Sequence, residues 1–368
     1  MSKYSGKLVA LEALRGAAAL YVFFHHAHLM PNQGLGMLLY FGQEAVIIFF
    51  ILSGFVICYS ASRHQMHWSE YLVHRAKRIY PIFFIALALA YLSQSLVAEA
   101  WLELEWGRLT GNIFMLQDVS ALKRGVWFDT YYGNSPLWSL SYEWWFYVIF
   151  IPLGLCGRFA KNKYFIYALI LSASGFLGHQ YMPNQLCLYL GYFFIWWAGV
   201  ELAKEYIKTG SLSFKKQLPM LLGLALMTGL WSLPVVIQLA KNIEMQLGTD
   251  PILQFRHHLA ALIFVVLGIT ISQRKIQFPS WLMRPFIILA PISYAIYLTH
   301  QPLLNIAQKI IGNNSPLISF LLALPTALLL GWLLEVRMQS WINGIIAKKL
   351  PIIKTSRTRI EKQPIQTR

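Results

Sequence analysis

About ten apolar stretches, each near 20 residues long, recur along this 368-residue chain, more than a soluble core of this size would need. With 57% hydrophobic and only 12% charged residues, the pattern predicts an all-α fold, a polytopic membrane helix bundle of about ten transmembrane helices. The spans are expected at roughly 8–28, 45–61, 79–98, 139–157, 164–178, 186–204, 218–237, 256–272, 286–304 and 316–336. The first lacks a small-residue cleavage site and carries Arg15 in its interior, so it is expected to remain in place as a span.

A formal net charge of +16 raises the question of nucleic acid, but the placement of the cations answers it. With a cytoplasmic N-terminus, most Lys and Arg residues fall in inside segments, including Arg63, Arg75, Lys77, Arg78, Arg158, Lys204, Lys216, Arg274 and the basic tail. That asymmetry predicts a multi-pass protein of the cell inner membrane with both termini cytoplasmic and no nucleic-acid partner. Cys58, Cys156 and Cys187 lack ligand spacing, so neither a metal site nor a disulfide framework is expected. The chain divides into a transmembrane domain over 1–336 and a cytoplasmic amphipathic segment with a basic tail over 337–368, the tail suited to anionic lipid. The longest outside segment, about 99–136, is expected as interfacial or partly re-entrant helix.

Ionisable side chains inside spans are costly and point to function. Arg15 sits inside LVALEALRGAAALYVFFHHAHLM, and His26 follows eleven residues later. At about 100° per residue the two share one helix face, roughly 16 Å apart, whereas His25 lies about 80° off that face. Distance from span ends places His26, Glu44, Glu143 and His300 at similar depth near the outer side, which predicts a single pocket that collects them. Each has a simpler reading. Arg15 suits a pairing with Glu12, Glu143 a helix N-terminus, and the Trp and Tyr residues around Glu143 an interfacial belt. A basic cluster in YLVHRAKRIYPIFF, with Arg75, Lys77 and Arg78, suits positive-inside topology or phosphate recognition, and Pro81 fits an early helical turn.

Five stretches in order, LEALRG with its Arg and His, FFILSGFVI, HRAKRIYP, PLWSLSYEWWFY and ISYAIYLTHQPL, resemble the integral-membrane acyltransferase 3 family over about residues 8–336. The resemblance implies transfer of an acyl group, usually acetyl, from a cytoplasmic coenzyme A thioester to a hydroxyl of a cell-envelope or exported carbohydrate. It also implies that Arg15 and His26 are the residues most tied to activity, that Arg75 and Arg78 match the family's basic stretch, and that Ser141 and Glu143 match its Ser-x-Glu. The expected assignment is His26, Glu143 and Arg15 as catalytic, with His26 the base and Glu143 orienting it. Arg75, Lys77 and Arg78 are expected at the acetyl-CoA phosphates, and His300, Glu44, Tyr294 and Ser53 at substrate. An acyl intermediate on His26 fits the same residues. This chain reads LEALRG where many members read LDGLRG, and Ile47 stands where many carry an acid. Many relatives add an extracytoplasmic hydrolase-like domain, so action alone or with a separate extracytoplasmic partner is expected. The alternative reading is a transporter or flippase of an envelope glycan intermediate, for which the sequence offers no inverted repeat.

Overall fold

A computed structural model describes residues 6–29, 34–63, 66–155, 163–312 and 315–349. Cys156, Arg158 and the basic tail beyond 349 lie outside them. The chain is a helical bundle that begins with α1 (Gly6–His26), α2 (Gly42–Arg63), α3 (Trp68–Ala98), α4 (Trp106–Ile113) and α5 (Trp138–Phe150), then α6 (Lys163–Tyr181), α7 (Gln185–Thr209), α8 (Phe214–Ala240) and α9 (Ile252–Gln273). The last part comprises α10 (Ser280–Leu289), α11 (Ser293–Ile311), α12 (Pro316–Gly331) and α13 (Gln339–Lys349). Among the described residues, seven helical stretches are long and apolar enough to cross a membrane: α2, α3, α7, α8, α9, Ser280–Ile311 and Pro316–Ile345. The other three expected spans are helical as well, as α1, α5 with its π-helical extension Ile151–Leu155, and α6. At 21 residues, α1 is about 31 Å long, the thickness of a hydrocarbon core.

Three spans differ from expectation in ways that shape the site. Helix α3 begins eleven residues earlier than expected and runs for 31 residues, so Arg75, Lys77 and Arg78 lie within the helix rather than ahead of it. The ninth span is broken by a 3₁₀ turn at Ala290–Ile292, where Pro291 supplies no backbone N–H. The tenth passes through a π-helical segment, Trp332–Met338, into α13, so residue 336 falls inside continuous helical structure. The segment after α3 is mostly not helix. It holds the short α4, 3₁₀ turns and a parallel pair of two-residue strands, β1 (Gln117–Asp118) and β2 (Phe128–Asp129).

Small residues set the closest helix crossings. A Cβ on Gly16 would sit 2.0 Å from the Phe286 carbonyl oxygen, so α1 meets α10 backbone to backbone, one residue from Arg15. Gly54 and Gly199 meet each other's helices in the same way, a Cβ on each falling 2.0 Å from the Trp196 and Ile51 carbonyl oxygens respectively. Gly16→Ala is therefore expected to destabilise the bundle by about 3 kcal/mol, because a backbone cannot yield as a side-chain tip does. Thermal unfolding in detergent micelles measures this, and an unshifted midpoint would contradict the crossing.

Two prolines in long helices leave carbonyls without their i+4 donors, and side-chain amides from elsewhere take them. Pro302 cannot donate to the Leu298 carbonyl, which accepts instead from Asn134 Nδ2 at 3.0 Å. Pro81 cannot donate to the Lys77 carbonyl, which accepts from Gln339 Nε2 at 3.1 Å. The first contact docks the loop between α4 and α5 on α11, and the second docks the end of the π-helical segment on α3.

The same loop is held by a buried ion pair. Lys123, 3% exposed, donates to Asp118 at 3.0 Å, and its ammonium lies 3.8 Å from the Trp138 ring centroid. Tyr142 donates to the same carboxylate at 2.6 Å. Burial pushes the Lys123 pKa below its ordinary value, and the Asp118 carboxylate opposes that shift. Trp138 and Tyr142 are thus core residues and not the interfacial belt that the sequence suggests.

Candidate active site

His26 and His300 meet at one end of the bundle, with Nδ1 of the first 2.9 Å from Nε2 of the second. Carbonyls only accept, so the ring protons can be assigned from the network. His300 Nδ1 lies 3.2 Å from the Ile296 carbonyl and must carry a proton there, which leaves Nε2 of the neutral ring as an acceptor. His26 Nδ1 then donates, to His300 Nε2 and to the Val22 carbonyl at 3.2 Å. The remaining nitrogen, His26 Nε2, is unprotonated and accepts a long hydrogen bond from Ser135 Oγ at 3.5 Å, one residue beyond the Asn134 that docks the loop. His25 turns away to the Leu39 carbonyl at 2.6 Å.

Toward the arginine-bearing end lies a cavity of about 160 Å³, lined by Arg15, Ser53, Arg75, Arg78, Glu143, Tyr147, Tyr294 and neighbours from five helices. Glu143 accepts from Ser53 Oγ at 2.8 Å and from the Tyr147 hydroxyl, one helical turn along α5. Trp196 Nε1 donates to Ser53 at 3.2 Å, so the Gly54–Gly199 crossing delivers this partner. Arg15 donates through Nη2 to the Ala290 carbonyl at the break before α11 and not to Glu12. Arg78 forms an ion pair with Glu335 at 2.5 Å. Nε of Arg15 and Nε of Arg75 are buried without a hydrogen-bond partner, so the cavity holds unspent donors. Its upper end is closed by Ser139 Oγ and the Tyr297 hydroxyl, 2.8 Å apart, with His300 three residues further along α11.

The predicted residues therefore divide into two groups instead of one pocket. Arg15, Ser53, Arg75, Arg78, Glu143 and Tyr294 line the cavity, and His26 with His300 sits above it. Glu143 takes its hydrogen bonds from Ser53 and Tyr147 and not from His26. It lies eight residues beyond Ser135, the residue next to His26, about 12 Å along the chain at helical rise. Helix α5 begins at Trp138, within one residue of the expected span start, so Glu143 lies a turn or two into the helix as expected and it is the convergence with His26 that differs. Glu44 pairs with Arg256 at 2.6 Å at the start of α9, away from both groups. Lys77 lies outside the cavity lining. Sequence reading missed Tyr147, Tyr297, Ser135 and Glu335. The i, i+4 spacing of Glu143 and Tyr147 was a usable signal, and so was the position of Glu335 four residues beyond Gly331, on the face that also buries Ala323 and Ala327.

The family description "Acyltransferase domain" matches residues 8–336. Among curated proteins, the acyltransferase MdmB of Streptomyces mycarofaciens is 32% identical over 153 residues, covering 39% of this chain and 38% of that protein. Peptidoglycan O-acetyltransferase OatA of Listeria monocytogenes is 23% identical over 348 residues, covering 86% of this chain and 52% of that protein. The chain thus spans about half the length, or less, of these relatives. No solved structure matches it. With the match running through nearly every helix described above, the chain belongs to the acyltransferase family that this domain defines.

Proposed function

We propose that the protein is a membrane O-acyltransferase that moves an acyl group, acetyl in the simplest case, from a coenzyme A thioester to a hydroxyl of a cell-envelope or exported carbohydrate. The arginine-bearing end faces the cytoplasm in this reading, consistent with the excess of Lys and Arg there. Arg75 and Arg78 receive the donor's phosphates, for which guanidinium forks are well suited. The long pantetheine arm runs through the cavity past Ser53, Glu143 and Tyr147, and Arg15 offers its unpaired Nε–H to a carbonyl of that arm. For the thioester to reach His26, the Ser139–Tyr297 hydrogen bond must open.

At the histidine pair, His26 Nε2 takes the proton of the acceptor hydroxyl as its oxygen attacks the thioester carbonyl. The new C–O bond forms, the C–S bond breaks, and the imidazolium returns its proton to the departing thiolate. His300 keeps the His26 lone pair aimed at the acceptor side by accepting from Nδ1, the part a third group plays in other acyl-transfer sites. The observation that carries this reading is the unprotonated His26 Nε2, held only by a long bond from Ser135, on the same bundle as a cavity that gathers three arginines. The OatA likeness makes peptidoglycan the first acceptor to try.

The test is mass spectrometry of envelope glycans from cells with and without this chain. An ester-borne acyl mass present only with the chain is the expected result, and it identifies acceptor and acyl group together. Identical glycans, with transport of an unmodified intermediate, would overturn the proposal.

A further inference from the structure

The π-helical segment between α12 and α13 places two side chains, Glu335 and Gln339, on one short stretch of α3. Glu335 pairs with the Arg78 guanidinium through Oε2. Its other oxygen, Oε1, accepts from the Ala295 N–H in the first turn of α11 at 3.0 Å. Gln339 Nε2 donates to the Lys77 carbonyl at 3.1 Å and to the Arg78 carbonyl at 3.4 Å, where Pro81 has left the former without its helical donor. The Tyr294 hydroxyl completes the set, donating to the Ile79 carbonyl at 3.1 Å. Backbone and side chain of residue 78 are thus held separately by the last span.

Such double restraint has a physical reason. Arg15, Arg75 and Arg78 line one cavity, and like charges drive guanidinium groups apart unless a counter-charge holds them. Of the Glu335 side chain only 1% is exposed, against 41% for Arg78, so the fixed member of the pair is the carboxylate and the guanidinium is the aimed one. Arg78 presents five N–H donors in a rigid fork. Glu335 takes Nη1, which leaves the other edge of the fork for a second anion. An uninterrupted α-helix would turn Glu335 and Gln339 through different angles, which gives the π-helical segment a task, as such segments often have at functional sites.

We infer that Glu335, supported by Gln339, is a positioning residue that aims Arg78 at the donor phosphates, so that the C-terminal span governs affinity for the acyl donor without touching the reacting atoms. This rests on the reading that Arg78 binds those phosphates. Glu335→Gln isolates the effect, because the amide oxygen still accepts from the Ala295 N–H while the charge facing Arg78 is gone.

In purified protein with acetyl-CoA and a glycan acceptor, E335Q is expected to raise KM for acetyl-CoA about tenfold, leaving kcat and KM for the acceptor within about twofold. Gln339→Ala is expected to raise the same KM by about threefold. E335Q should keep the wild-type unfolding midpoint in detergent, whereas Gln339→Ala, which strips the Lys77 carbonyl of its donor, should lower it. An unchanged or lowered donor KM in E335Q, or a loss confined to kcat, overturns the inference. Absence of acetyl-CoA-dependent transfer by the wild-type protein overturns the underlying reading instead.

Discussion

Replacing His26 with alanine is expected to lower acyl transfer by about a thousandfold while leaving the protein folded, since a positioned general base contributes on that order. The side chain sits at the end of α1 and packs mainly against His300 and Ser135, so its loss removes few core contacts. His300 permits a graded companion. Gln in its place can still accept from His26 Nδ1 through its amide oxygen, so His300→Gln should retain most activity, whereas His300→Ala frees the His26 ring and should cost about tenfold. Initial rates of ester formation in detergent or proteoliposomes measure all three. Wild-type rates in the His26 variant would remove the proposed base, and equal losses in the two His300 variants would remove the orienting role.

Asp118→Ala carries the largest expected effect on stability. Removing one partner of a buried pair strands the other, and the expected loss is about 3–5 kcal/mol. Lys123 would keep a long hydrogen bond to the Tyr142 hydroxyl at 3.4 Å and its contacts with the Trp138, Tyr142 and Tyr192 rings but would lose the Asp118 counter-charge, and the Tyr142 hydroxyl would lose its acceptor. Replacing both charges together, Asp118→Leu with Lys123→Met, should recover most of that loss, because neither charge then pays for desolvation. Thermal unfolding of the single and double variants in one detergent decides the matter. A single variant shifted by less than about 1 kcal/mol would mean that water reaches Lys123. The pair sits in the loop that also holds Asn134 and Ser135, so activity should fall with stability in the single variant and return in the double one.

What was legible in the sequence follows from which forces act locally. Apolar run length disclosed the helical bundle, because a span must be about 20 residues whatever its neighbours do. The Arg15 to His26 spacing disclosed a shared face, since helical geometry is local. The meeting of His26 with His300 followed from depth, and the structure brings those rings together. Similar depth did not mean convergence for Glu143 and Glu44. Helix α5 starts within one residue of the expected 139 and α2 starts against His25, but Glu143 faces Ser53 and Tyr147 and Glu44 faces Arg256, and direction around the bundle is set by tertiary packing that depth does not report. Glu335 went unread for another reason: it continues the buried i, i+4 row of Ala323, Ala327 and Gly331, but its partner Arg78 lies on a helix far away in sequence, which no local pattern discloses. The prolines carried information that went unread: each marks, four residues back, a carbonyl in want of a donor, and Leu298 and Lys77 both find theirs in distant amides.

Helix α1 carries Arg15 anchored at the Ala290 carbonyl and His26 anchored at His300, with no break between them. The helix is therefore a ruler. One residue added between the two would lengthen it by about 1.5 Å and swing one end by about 100° relative to the other, so both anchors could not engage at once. Side chains along this interval can vary with their packing neighbours, but their number cannot. On the proposed reaction, the separation of donor-side and acceptor-side chemistry is a fixed length written into a single helix.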